Sequence, residues 1–114
     1  MENEPYKENN KRELYRITYP VNDRPILKLL GNEFEVTNIS ERGIKFICKQ
    51  CSEFKIDLEV KFTLIFHDNE SFLLEGRILQ TYKSAVVIGL RRNIPFERII
   101  LEQRYILTNY PDKL

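Results

Sequence analysis

Apolar and polar residues alternate along most of this chain, and the period is two. Ile17, Tyr19 and Val21 alternate until the cluster Asn22-Asp23-Arg24-Pro25, and Pro20 within that run predicts a short strand at a sheet edge. Ile26 to Leu30 reads as a second strand, closed by Gly31-Asn32, whose residues accept the positive φ of a tight hairpin. Phe34-Glu35-Val36-Thr37 and Ile44-Lys45-Phe46 alternate again, with the mostly polar Asn38 to Gly43 as the turn between them. Every even position from Phe54 to Phe66 is apolar. That run exceeds the usual strand of about five or six residues, so a bend is expected near Asp57 to Glu59. After a hairpin loop at His67 to Ser71, strands are predicted over Phe72–Thr81 and Ala85–Arg91, with Gly76 and Gly89 allowing the sheet to coil.

The pattern changes at Asn93-Ile94-Pro95. Asn caps helices and Pro is tolerated in a first turn, and Phe96, Ile99, Ile100, Gln103, Ile106 and Leu107 then follow helical spacing, ending near Pro111. The expected fold is all-β: six or seven antiparallel strands joined by short turns and closed into a small barrel, with a C-terminal helix at about 94–108 laying a mainly apolar face on it. The expected organisation is a polar, aperiodic arm at 1–10, one domain at 11–109 and a short tail at 110–114.

Composition narrows the function classes. A chain of 114 residues supports one modest core. Eighteen basic and seventeen acidic residues leave a net charge of +1, which argues against a dedicated binder of DNA or RNA. No apolar run approaches the roughly 18 to 20 residues that cross a bilayer, and the N-terminus has no signal-peptide pattern, so the expected location is the cytoplasm. Cys48 and Cys51 form a Cys-x-x-Cys, but the chain holds one histidine and no second cysteine pair to complete a zinc set. Reduced thiols are the expected state, and His67 is expected as a solvated turn residue.

Candidate chemistry lies in two short stretches. Arg12 and Arg16 stand four apart just before the first strand, and Asn38-Ile39-Ser40-Glu41-Arg42-Gly43 places small polar groups and a glycine between two strands. Each half has a plain reading: a solvated basic patch or ion pairs with Glu8 or Glu13 for the arginines, an ordinary hairpin turn for the rest. Together they suit a different purpose. Arginine's planar fork pairs bidentately with phosphate or with the O6/N7 edge of guanine, and its flat face stacks on a base. Asn and Ser add short directional donors, and a residue without Cβ lets a flat ligand approach the backbone.

An Arg-x-x-x-Arg followed by (Asp/Asn)-x-Ser-x-x-Gly resembles PilZ domains, receptors for the bacterial second messenger cyclic di-GMP. Arg12, Arg16, Asn38, Ser40 and Gly43 fill every position of that motif, and the likeness extends from about Lys11 to the early 100s. The resemblance implies a PilZ-type six-stranded barrel with a C-terminal helix. It also implies a receptor and not a catalyst; no cofactor or metal is expected, and with no effector domain attached the receptor is expected to act in trans on an effector protein. Lys11 beside Arg12 adds a cation where further phosphates could lie. Consistent with a receptor, the sequence offers no nucleophile with its base, no carboxylate pair and no phosphate-binding glycine loop. Two other readings stand beside it: a PilZ-like adaptor that binds a protein and no nucleotide, and an oligonucleotide-binding barrel. The latter lacks a basic strip with interleaved aromatics.

Overall fold

The structure, a computed structural model, describes residues 16–49 and 52–113. The predicted arm, Lys11, Arg12, Cys51 and Leu114 lie outside the described residues. Among the described residues seven strands follow one another: β1 (Ile17–Thr18), β2 (Ile26–Leu29), β3 (Asn32–Ile39), β4 (Gly43–Ile47), β5 (Glu59–Ile65), β6 (Ser71–Thr81) and β7 (Ala85–Leu90). A 3₁₀ turn at Val21–Asp23 separates the first two, and the helix α1 (Phe96–Asn109) follows β7. All pairings are antiparallel, in the order β3-β2-β5-β6-β7-β4, and β4 returns to β3 to close a six-stranded barrel. The extra strand, β1, pairs with the end of β3 through Ile17↔Ile39 and Thr18↔Asn38.

Register turns the alternation of the sequence into two faces. One cross-strand row, Ile17–Ile39–Ile44–Ile88–Ile78, runs through five strands with every member buried. Below it Phe46 packs at 5.1 Å from Phe34 and 5.8 Å from Phe54, ring centre to ring centre. Two register shifts interrupt the ladder, between Val36 and Asn38 on β3 and between Ile78 and Gln80 on β6. Gly76 is required by close approach: a Cβ there would meet the carbonyl oxygen of Gly89 at 2.4 Å.

Several expectations are corrected in detail. The β2–β3 turn is Leu30-Gly31, with φ of 55° and 80°, because Asn32 already pairs with Leu29. The expected bend exists, with Asp57 at φ 74°, and it leaves Ile56 and Leu58 exposed where unbroken alternation would have buried them. The helix starts at Phe96, and Asn93 does not cap it: the Pro95 carbonyl accepts the Arg98 and Ile99 N–H groups at 2.9 and 3.2 Å. The helix is also rotated from expectation. Its buried residues are Arg98, Ile99, Glu102 and Ile106, while Phe96 and Leu107 are 44% and 41% exposed. Spacing alone could not anticipate two charged groups facing the barrel, because their burial depends on partners far away in sequence.

Candidate ligand-binding groove

Among the described residues, Arg16, Asn38, Ile39, Ser40, Gly43, Ile44, Lys45, Tyr82 and Val87 line a groove of about 310 Å³ on the outside of the barrel. Four of the predicted site residues therefore converge. Arg12 and Lys11 fall outside the described residues.

The shift in β3 is what presents Asn38. Val36 is fully buried, and strict alternation would send Asn38 into the core with it. The extra residue at Thr37 resets the parity, so Asn38 turns outward and Ile39 inward. The Asn38 side chain is already oriented: its Nδ2 donates to Thr18 Oγ1 at 2.9 Å, and its Oδ1 accepts from Thr37 Oγ1 at 2.8 Å. An amide has two N–H groups and two lone pairs, so one donor and one acceptor site remain beyond these bonds.

Ser40 begins a turn held from three sides. Its N–H donates to the Gly43 carbonyl at 2.9 Å, while the Glu41 and Arg42 carbonyls accept from Ile94 and Leu90 at 2.9 and 2.8 Å. The turn is thus tied to the segment that leads into α1. Gly43 does not need glycine for its backbone, since a Cβ would make ordinary contacts with the Ile88 carbonyl (3.4 Å) and Ser40 Oγ (3.7 Å). What a side chain there would take is space in the groove.

Sequence reasoning missed Lys45, Tyr82 and Val87. For Lys45 a signal existed: with Ile44 and Phe46 in the core, Lys45 must face out, and it pairs directly with Asn38. Tyr82 lies in the β6–β7 turn and reaches the groove only through barrel closure. Arg16 and Lys45 are the cations of the lining, and no carboxylate joins them among the described residues. Such a surface attracts an anion.

A second charged cluster lies under α1. Glu102, fully buried, accepts from Tyr19 Oη at 2.5 Å, Arg98 Nη2 at 2.5 Å and His67 Nε2 at 3.0 Å. Arg98 also donates to Asp68 (2.9 Å) and Glu70 (2.6 Å), and its guanidinium lies 4.1 Å from the centre of the Phe66 ring. Although burial disfavours the guanidinium charge, its bonds to Asp68 and the charge of Glu102 hold its pKa above the usual value. Burial, reinforced by Glu102, raises the Tyr19 pKa, and the bond from Arg98 lowers that of Asp68. Asp23 accepts from Tyr110 at 2.5 Å, which pushes that phenol up to about 12, and from Tyr105 at 3.1 Å.

His67 is accordingly no solvated turn residue. Its ring stacks on Tyr105 with centres 3.8 Å apart, because the β5–β6 turn folds under the helix. Cys48 is disulfide-bonded, which corrects the expectation of a reduced thiol. That expectation came from an assumed compartment, whereas the cysteine sits buried at the point where the chain leaves β4. Among the described residues no group of His, Cys, Asp and Glu could hold a metal ion, and no helix is long and apolar enough to cross a membrane.

No family model and no curated protein matches the chain. Solved structures do. The chain is similar to a Legionella uncharacterized protein, Lpg0364, with a TM-score of 0.54, 19% identity and coverage of 86% of this chain and 95% of that one. It is also similar to a K. pneumonia MrkH–c-di-GMP complex, with a TM-score of 0.62, 12% identity and coverage of 82% of this chain and 52% of that one. These likenesses show the fold, a PilZ-type barrel with one extra strand and a C-terminal helix.

Proposed function

We propose that this protein is a cyclic di-GMP receptor that works by binding and not by catalysis. One observation carries the reading: barrel closure gathers Arg16, Asn38, Ser40 and Gly43 into a single groove with two cations and no carboxylate among its described lining residues. The fold it shares with a structure solved with c-di-GMP supports it. In this reading the Arg16 guanidinium pairs with a phosphate or a guanine edge. Asn38 offers its remaining N–H and lone pair, and Ser40 its hydroxyl. Gly43 keeps the floor low enough for a flat base. Arg12, with Lys11, completes the cationic side from the segment before β1.

The output in this reading is a protein effector bound in trans. A ligand that contacts both the barrel and the segment around residues 7–16 favours their closed arrangement, which forms a new surface. The competing reading, an adaptor that binds a protein and no nucleotide, leaves the convergence of motif residues without a purpose.

Calorimetric titration with cyclic di-GMP decides between them, with cyclic di-AMP and GTP as controls. Saturable, selective binding in the low-micromolar range or tighter, about 8 kcal/mol, is expected. A folded protein that takes up nothing at high-micromolar ligand is the adaptor.

A further inference from the structure

Of the groove residues outside the motif, Lys45 and Tyr82 touch each other. The Lys45 ammonium lies 5.1 Å from the centre of the Tyr82 ring. Tyr82 is 54% exposed, and its N–H donates to the Ala85 carbonyl at 2.7 Å, so the ring is carried on a tight, closed turn. Lys45 stands opposite Asn38 on one side and Val87 on the other, in the outward row Thr18–Asn38–Lys45–Val87. Among the described residues Lys45 makes no ion pair, and its ammonium is placed against the Tyr82 ring instead. A half-exposed aromatic ring steadied by a cation that no described carboxylate neutralises is poorly explained by stability. An exposed cation–π contact contributes only about 0.5–1 kcal/mol.

We propose that Lys45 and Tyr82 form a second half-site of the groove, where the ammonium pairs with a phosphate and the ring stacks on a purine of the same cyclic dinucleotide. This rests on the cyclic di-GMP reading. A cyclic dinucleotide has two bases and two phosphates related by symmetry, so a site that holds one half through the motif residues leaves the other half needing a base platform and a cation. Directly opposed strand residues lie about 4.5–5.5 Å apart at Cα. A lysine stem starting beside Asn38 therefore reaches the neighbouring phosphate. Stacking is indifferent to the edge of the base, so Tyr82 supplies affinity, and the choice of guanine stays with groups that read the O6/N7 edge.

The test compares the wild-type protein with Tyr82→Ala, Tyr82→Phe, Lys45→Gln and Lys45→Arg, all checked for an unchanged Tm, by calorimetry with cyclic di-GMP and cyclic di-AMP. Tyr82→Ala and Lys45→Gln should each weaken cyclic di-GMP on the order of tenfold, while Tyr82→Phe and Lys45→Arg stay close to wild type. Lys45→Gln should also flatten the dependence of affinity on salt. The preference for cyclic di-GMP over cyclic di-AMP should survive Tyr82→Ala. Wild-type binding with unchanged affinity in Tyr82→Ala and Lys45→Gln overturns the half-site and leaves the receptor intact. A collapse of selectivity in Tyr82→Ala overturns the stacking role. Failure of the wild-type protein to bind overturns the receptor reading and this one with it.

Discussion

Arg98 and Arg16 carry the same charge in opposite settings. Arg98 is 3% exposed and held by Asp68, Glu70 and Glu102, with a phenylalanine ring against its face. Arg16 is exposed at the lip of a groove whose described lining contains no carboxylate. Burying a charge is costly and is tolerated only with partners and hydrogen bonds in place, so the Arg98 cluster has a structural task. A cation left unneutralised on an open surface adds little to the fold and is available to an anion. The two clusters are nonetheless connected. Tyr19, three residues after Arg16, bonds to Glu102, and the Ser40–Gly43 turn is pinned to the residues that lead into α1.

This contrast is broken most severely at Glu102. Glu102→Ala leaves Arg98, Tyr19 and His67 without their shared acceptor and should cost about 3–5 kcal/mol, read as a loss in urea midpoint. Unchanged stability would mean that Asp68 and Glu70 satisfy Arg98 by themselves. Arg16→Ala should do the reverse: stability within about 0.5 kcal/mol of wild type, and cyclic di-GMP affinity reduced by roughly 1.5–3 kcal/mol. A drop in Tm with affinity intact would make Arg16 a structural residue. Gly43→Ala belongs with Arg16, because the added methyl makes only ordinary contacts, and it should spare the fold while obstructing the ligand.

The smallest effect is on pH dependence, and its sign is set by the tyrosines of the helix cluster. Tyr19, Tyr105 and Tyr110 have pKa values raised above 10.0, so the neutral phenols are favoured in the folded state. Their contribution is complete below pH 10.0 and is lost as pH rises through about 12, the folded value for Tyr110, with Tyr19 still protonated. Asp68 acts in the other direction: its lowered pKa stabilises above its ordinary value of 3.8, and that contribution is lost as pH falls from there. Alkaline unfolding followed by tyrosinate absorbance should show the Tyr19 signal appearing only with loss of the fold. Early ionisation of all six tyrosines before unfolding would contradict the buried cluster.

The sequence by itself determined the strands, because a period of two survives any reasonable packing and the turn residues between runs leave few alternatives. It also singled out Arg16, Asn38, Ser40 and Gly43 before any geometry was known, and the structure brings these four to one groove. Three matters belonged to the tertiary structure. The outward turn of Asn38 depends on a register shift against β4, which the run Phe34–Thr37 does not reveal. The burial of Arg98 and Glu102 depends on Tyr19, His67, Asp68 and Glu70, brought over from other elements, so helical spacing found Ile99 and Ile106 but not the two charged residues buried beside them. Tyr82 joined the groove only when β4 met β7 and the barrel closed, because contacts between residues far apart in sequence carry no local pattern from which to read them.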